Sequence, residues 1–458
     1  MILEQYYIEC LSHASYLIGD TTSGRAIVVD PRRDITEYLA DAQRHGLTIE
    51  GVVNTHFHAD FVSGHLELVE ATGAWIGFGE AAQTEYPIRR LADGEHLSLG
   101  EVDLEILSTP GHTWESISVL VRERADVAPT AVLTGDSLFI GDVGRPDLVN
   151  LGDGSSADLA RAMYSTIHRR LLTLPDHVVV MPAHGAGSSC GKNLSTELTS
   201  TIGEQRQTNP AVQPMTEEEF VALVTTGQPA APAYFAADAA MNKSVHPLLD
   251  QTRSVQPMTP KSVRTALNNG IRVLDARSVD DFAMGHLRGS VNVGFDGRFA
   301  ETAGMVFAVG EAVALIAYPG EEQLAALRLA RVGSDNLVGY LTVEPRGAFP
   351  AELADLVQPG RRTTVHEPGE LLADGKVTLI DVRKSRRVRA RGDTWVHHIP
   401  LAQLRTRLDE VPTDKPSSCT VRAGGAPAWP RRCCANEFEG VSDLAGGYNA
   451  WAQQKAIA

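Results

Sequence analysis

Two imidazoles and a carboxylate fall within five residues in Thr55-His56-Phe57-His58-Ala59-Asp60-Phe61, which continues as Val62-Ser63-Gly64-His65. Neutral imidazole and carboxylate are ligands that borderline metals such as zinc or ferrous iron accept. On extended chain, alternate positions direct His56 and His58 to the same side. Metal ligation is one reading of such a run, and a solvated His-rich loop is the other. Three later segments bear on the choice. Leu107-Ser108-Thr109-Pro110-Gly111-His112 presents a histidine on a Pro-Gly turn, Ala131 to Ser137 carries Gly135-Asp136, and Val178 to Gly185 carries Ala183-His184. Each reads as an apolar strand ending in a small-residue turn that holds His or Asp. Packing does not explain four such strand ends, because a core has no use for recurrent ionisable groups there.

The elements that must position these residues are legible around them. Tyr7 to Leu11, Ser15 to Ile18 and Ala26 to Asp30 alternate or run apolar between Gly and Thr-Ser turns, which predicts an opening β-meander. Asp34 to His45 reads as an amphipathic helix. Gly51 to Asn54 is then a short buried strand that delivers the histidine loop, and Gly64 to Thr72 is the helix behind it, with Leu66, Leu68 and Val69 free to pack.

At 458 residues the chain exceeds one ordinary core, so two to four domains are expected. Five unevenly placed cysteines do not make a disulfide framework, and a reducing, cytoplasmic setting fits them. The start, Met1-Ile2-Leu3-Glu4-Gln5-Tyr6, has no signal-peptide pattern, and no apolar run reaches the length of a membrane span. A soluble protein with no membrane partner is expected. The net charge of −16 argues against a nucleic-acid partner, with a local basic patch near Arg383 to Arg391 as the exception.

Taken in order, these motifs resemble the metallo-β-lactamase fold, an αββα sandwich with its metal at one edge of two packed sheets. The resemblance covers residues 1–235. Binuclear zinc hydrolases of the glyoxalase II type carry a histidine directly after the motif aspartate, and here that place is Phe61, whose ring cannot ligate. Gly111 to Ser116 and Thr134 to Leu148 are similar to the persulfide dioxygenase branch, which uses one ferrous iron per chain. The resemblance implies His56, His112 and Asp136 as the iron ligands, a facial triad that leaves positions open. It implies His58, Asp60 and His184 as catalytic residues that orient ligands and water by hydrogen bonds. Arg145 falls where the family places an arginine able to meet an anionic thiol carrier, and a surface ion pair is an equally common use. Cys190 follows His184 in a Gly/Ser loop where Lys192 could favour its thiolate, so it is either a persulfide-handling or a passive cysteine. Cys10 reads as core.

Residues Asn209 to Gln256, rich in Pro, Ala and Gln, read as a helix and a connector, with 236–256 as the connector. Beyond it a pattern repeats. Val273-Leu274-Asp275-Ala276-Arg277 is matched by Leu379-Ile380-Asp381-Val382-Arg383, His286 to Val293 by His397 to Leu401, and Val338 to Leu341 by Leu444 to Trp451. Strands alternating with helices at this spacing imply a small parallel α/β domain, twice, over 257–350 and 360–458. Both copies resemble rhodanese domains, sulfurtransferases whose active loop holds a persulfide-carrying cysteine. The first copy has Tyr318-Pro319-Gly320-Glu321-Glu322 in that loop and no thiol, which makes it noncatalytic. In the second, Ser417 to Cys434 is a poor strand and a worse helix. With GC-rich codons, the same stretch read two bases later gives VVHCAGGWRSGLAASLLR, a rhodanese strand, cysteine loop and helix. A compensated frameshift in the gene accounts for this, as a similar one does for Ser385 to Val396, and a resequenced locus without indels would refute both. In the chain as given, Cys419 lacks its loop, and Cys433 and Cys434 match nothing catalytic.

The expected fold class is therefore α/β multidomain: an N-terminal metallo-β-lactamase sandwich and two rhodanese-like domains. The expected function is oxidation of a low-molecular-weight persulfide, on glutathione, coenzyme A or a similar carrier, to sulfite by O2 at one Fe(II). The alternatives are a zinc-dependent thioester hydrolase and a sulfur-carrier or scaffold protein. A homo-oligomer is expected.

Overall fold

The computed structural model describes residues 1–148, 155–251, 254–360, 362–363, 378–383, 396–404, 406–411, 417–420 and 442–444. The chain divides into two compact units, one of residues 1–228 with 235–249, the other of 229–234 with 250–458. The boundary corrects one expectation. Most of the stretch read as a connector, 236–256, belongs to the first unit and opens with a helix, Phe235–Met241.

In the first unit β1 (Ile2–Ile8), β2 (His13–Asp20), β3 (Arg25–Val29), β4 (Thr48–Val53), β5 (Trp75–Gly79) and β6 (Arg89–Leu91) form one six-stranded sheet in sequence order. β1 to β3 pair antiparallel as the meander predicts, and β3 to β6 pair parallel. The second sheet has the order β12-β11-β10-β9-β8-β7, from β7 (His96–Ser98), β8 (Asp103–Ser108), β9 (Ile117–Arg122), β10 (Ala131–Gly135), β11 (Val179–Pro182) and β12 (Ser200–Thr201). Successive side chains on a strand face opposite sides, and this splits the core into layers. Tyr16 and Ile18 of β2 join Ile106, Val119 and Leu133 of the other sheet in the cluster between the sheets. Leu17, between them in sequence, turns outward to pack with Tyr38 of helix α1 (Thr36–Arg44) and Leu68 of helix α2 (His65–Thr72). On the far side Val132 and Val180 pack with Met163 and Ile167 of α3 (Ser156–Arg169). The result is an αββα sandwich.

Behind the histidine loop, His65 at the start of α2 is fully buried against Tyr86, and burial lowers its pKa from 6.5 to about 3. The unfolded chain therefore binds a proton that the folded one refuses. Stability present at neutral pH should fall as pH drops below about 6.5, by about 2 kcal/mol at pH 5 from this residue. Urea titrations of the wild type and His65→Leu at pH 7 and pH 5 check this: the variant should lose less on acidification.

The second unit holds a four-stranded parallel sheet with the order β15-β13-β16-β17, from β13 (Arg272–Asp275), β15 (Val291–Asn292), β16 (Val313–Ala317) and β17 (Leu337–Thr342). The short strands β14 (His286–Leu287) and β18 (Val357–Gln358) pair antiparallel. A five-stranded sheet follows, with the order β19-β23-β22-β20-β21, from β19 (Arg362–Thr363), β20 (Thr378–Asp381), β21 (Val396–His398), β22 (Ser417–Thr420) and β23 (Ser442–Leu444). All its pairings are parallel. Each of the two stretches that the sequence pairs thus holds a parallel sheet. In both, the arginine two places after the strand-end acid forks onto it: Arg277 Nε and Nη2 donate to Asp275 at 3.0 and 2.7 Å, and Arg383 does the same to Asp381. The stretches 385–396 and 417–434 lie outside the described residues except for the backbone of Val396 and of β22.

Candidate metal centre

His56, His58 and Asp60 follow β4 of the first sheet, whereas His112, Asp136 and His184 follow β8, β10 and β11 of the second. The ends of the two sheets are stitched together there. Ile117 N donates to Thr55 O at 2.9 Å and Ala14 N to Ala183 O at 2.7 Å. Gly135 ends β10 just before Asp136, at φ 52, and a Cβ there would lie 2.6 Å from Thr55 Oγ1, so both its conformation and the approach of the loop after β4 demand glycine.

The six ionisable residues read from the strand-end loops converge, all of them buried: His56, His58, Asp60, His112, Asp136 and His184. Asp136 is the hub. Its Oδ2 lies 3.8 Å from His56 Nε2 and 3.6 Å from His112 Nε2 and has no hydrogen-bond partner, while Oδ1 meets His184 Nδ1 at 2.7 Å. His112 Nδ1–H donates to Arg145 O at 2.8 Å, which leaves the Nε2 lone pair directed at the hub. His56 Nδ1 lies 3.0 Å from Thr55 Oγ1, whose own hydrogen goes to Asp30 Oδ2 at 2.8 Å, so the imidazole must donate and its Nε2 is again the bare nitrogen. The ligand atoms of His56, His112 and Asp136 lie within 4.8 Å of one another. A buried carboxylate oxygen without a donor, facing two bare imidazole nitrogens, fits a cation.

Electrostatics agree. Burial, followed by the neighbouring His58, keeps His56 well below its ordinary pKa, so it stays neutral and able to ligate. Burial alone would raise the Asp136 carboxyl, but His184 and His56 beside it hold it well below the usual carboxylate range. His184 lies between two carboxylates, with Nε2 2.7 Å from Asp60 Oδ2. Burial opposes its charging, yet Asp136 and Asp60 hold it well above the ordinary histidine value. His58 Nε2 reaches Asp30 Oδ1 at 2.9 Å. Asp60, His184 and Cys190 form a second group whose ligand atoms lie within 4.8 Å of one another.

Two side chains depart from expectation. Arg145 does not face outward for an anionic carrier: it is buried, and its Nε and Nη2 fork onto Asp147 at 2.6 and 2.7 Å. Its backbone is what serves the site, through the His112 bond. Lys192 does not favour the Cys190 thiolate, because its Nζ donates to Leu223 O and Thr226 O. Burial, then the charges of Asp60 and Asp136, push the Cys190 thiol well above its ordinary pKa. Cys10 is buried, as read. Phe61 is fully buried, its ring centroid 4.1 Å from His13 and 4.4 Å from His58. Sequence reasoning missed Asp30, Thr55 and His13. Asp30 was visible as an acid at the end of β3, but its role depends on a partner twenty-five residues away.

Comparison with known proteins bears on this geometry. Residues 8–184 match the Metallo-beta-lactamase superfamily. A metallo-beta-lactamase from Staphylococcus aureus subsp. aureus COL, solved by crystallography, is 34% identical, covers 74% of this chain and 98% of its own, and superposes with a TM-score of 0.68. That share exceeds the first unit, so the likeness runs into the second. The mitochondrial persulfide dioxygenase ETHE1 of Bos taurus is 28% identical over 214 residues, 46% of this chain and 75% of the relative. A hydroxyacylglutathione hydrolase of Polaromonas sp. is 32% identical over 191 residues, 40% of this chain and 66% of the relative. Among the described residues, no helix is long and apolar enough to cross a membrane.

Proposed function

The chain belongs to the metallo-beta-lactamase superfamily of enzymes, and on that premise we propose that its first unit is a persulfide dioxygenase. The observation that carries this reading is the three-donor set, two bare imidazole nitrogens and one unpartnered carboxylate oxygen, beside a fully buried Phe61 where a second metal's histidine would stand. The likeness to the bovine persulfide dioxygenase supports it. His56, His112 and Asp136 would hold one ferrous ion, which when bound supplies the redox chemistry between dioxygen and a sulfur and keeps positions open for both. The remaining work falls to the chain. Arg145 O and Thr55 Oγ1 fix the two imidazoles, His184 holds a proton between Asp60 and Asp136, and the buried rings of Phe61, packed on His13 and His58, and Phe139, 6.3 Å from the His184 ring, put apolar surface beside them. Overall, RSSH with O2 and water gives RSH, sulfite and two protons; the four electrons leave the persulfide sulfur, whose S–S bond breaks as the thiol departs.

In this reading the second unit is a pair of rhodanese-like copies. The first is noncatalytic for want of a loop thiol, and an intact second copy could pass sulfur between persulfide and sulfite. The parallel sheets with their matched Asp275–Arg277 and Asp381–Arg383 pairs support the duplication.

A second reading is favoured by the Asp60, His184 and Cys190 group: a two-metal thioester hydrolase, in line with the 32% identity to a hydroxyacylglutathione hydrolase. One experiment separates the two. Anaerobically iron-loaded protein given glutathione persulfide should consume oxygen with about one iron per chain. Two zincs, thioester cleavage and no oxygen uptake would move the chain to the hydrolase reading.

A further inference from the structure

The loop that carries His56, His58 and Asp60 leaves three inward backbone groups to be satisfied: the carbonyls of His58 and Phe61 and the amide of Ser63. All three are met by a single side chain, 179 or more residues away in sequence. Asn242 Nδ2 donates to His58 O at 2.7 Å and to Phe61 O at 2.8 Å, while Oδ1 accepts from Ser63 N at 2.8 Å. Asn242 is 1% exposed. A primary amide has two N–H donors and a carbonyl acceptor, and here both donors and the carbonyl oxygen bind one loop. Of the side chains of this size, Asp has no donor to offer, and Ser and Thr offer one.

Asn242 stands just beyond helix Phe235–Met241, its own N–H donating to Asp238 O at 2.9 Å. The chain after it is pinned as a strap over the back of the loop and α2. Tyr86 Oη donates to Asn242 O at 2.5 Å, Glu85 N to Lys243 O at 2.9 Å, Arg33 Nη2 to Pro247 O at 2.8 Å, and Leu249 N to Glu67 Oε1 at 3.0 Å. The strap lies wholly beyond residues 8–184, the part that matches the superfamily.

We infer that Asn242 is a positioning residue for the metal centre: it sets the path of the loop between His56 and Asp60, and so the direction in which His56 and its neighbours face Asp136. The inference rests on the reading of His56, His112 and Asp136 as metal ligands. Groups that orient ligands from outside typically change metal affinity 10- to 100-fold when lost. Asn242→Asp keeps the size and the acceptor for Ser63 N but turns a carboxylate toward two carbonyl oxygens, so the loop must shift. Tyr86→Phe removes only the hydroxyl that anchors the strap and serves as the milder variant.

The test is an anaerobic Co(II) titration of the metal-free full chain, followed by visible absorption, with circular dichroism of each metal-free variant to confirm folding. Asn242→Asp should bind Co(II) about 10- to 100-fold more weakly, with an altered visible band pattern, and Tyr86→Phe should change the bands in the same direction by a smaller amount. If Asn242→Asp does not fold, the band change in Tyr86→Phe decides alone. Wild type that binds Co(II) while folded variants give the same affinity and spectrum overturns the positioning role only. Wild type that takes up no Co(II) overturns the metal-site reading on which it stands.

Discussion

Asp136→Ala should lower metal affinity by more than about 100-fold, beyond the range for groups that only orient ligands. The reason is that Asp136 serves both halves of the centre. Its Oδ2 is the carboxylate oxygen facing His56 and His112, and its Oδ1 meets His184 Nδ1 at 2.7 Å. Alanine leaves three buried imidazoles around a hole with no charge to offset a divalent ion. It also removes the first of the two carboxylates that keep His184 charged, so His184 loses protons as well as its anchor. Inductively coupled plasma mass spectrometry on dialysed protein gives the metal content, and the oxygen electrode should read background. Retention of near-stoichiometric metal in Asp136→Ala would mean that the ion sits elsewhere.

The second large effect is a gain. Phe61→His should raise the zinc content from about one to about two ions per chain. Asp60, His184 and Cys190 already bring their ligand atoms within 4.8 Å of one another, and Asp136 stands beside them. What fills the adjoining place is a benzyl ring packed at 4.1 Å on His13 and 4.4 Å on His58. Imidazole is smaller than that ring, so the exchange does not overpack the site. Oxygen uptake with persulfide should fall as the second ion takes the place beside the first. A count that stays at one in Phe61→His would show that some other group limits the centre.

The buried His and Asp cluster was legible because strand-end turns announce themselves locally: an apolar run, a glycine or proline, then His or Asp, four times. β2 to β4 were legible for the same reason, since period-two alternation depends on neighbours two residues apart, whereas the first strand, read over Tyr7 to Leu11, runs Ile2–Ile8 and gives way to turn residues from Glu9. What escaped the sequence is whatever depends on a distant partner. Thr55 and Asp30 are twenty-five positions apart, and nothing in either residue says that one will fix the tautomer of His56 through the other. For Arg145 the ion pair, one of its two readings, is what forms, with Asp147, and Lys192 is taken by the carbonyls of Leu223 and Thr226 rather than by the Cys190 thiol. The supposed connector was misread from its Pro and Ala content. Its helix is only seven residues long, and its standing in the fold comes from Phe235 and Asn242, both buried.

The distance along the chain between His58 and Asn242 also sets a clock on biosynthesis. A ribosome adding about 5–20 residues per second exposes the histidine loop on the order of 10–40 s before the residue that ties it down. Throughout that interval the nascent polypeptide displays His56, His58 and Asp60 on a loop without its final hydrogen bonds. On the proposed reading, metal loading is then a late event, set by emergence of the strap.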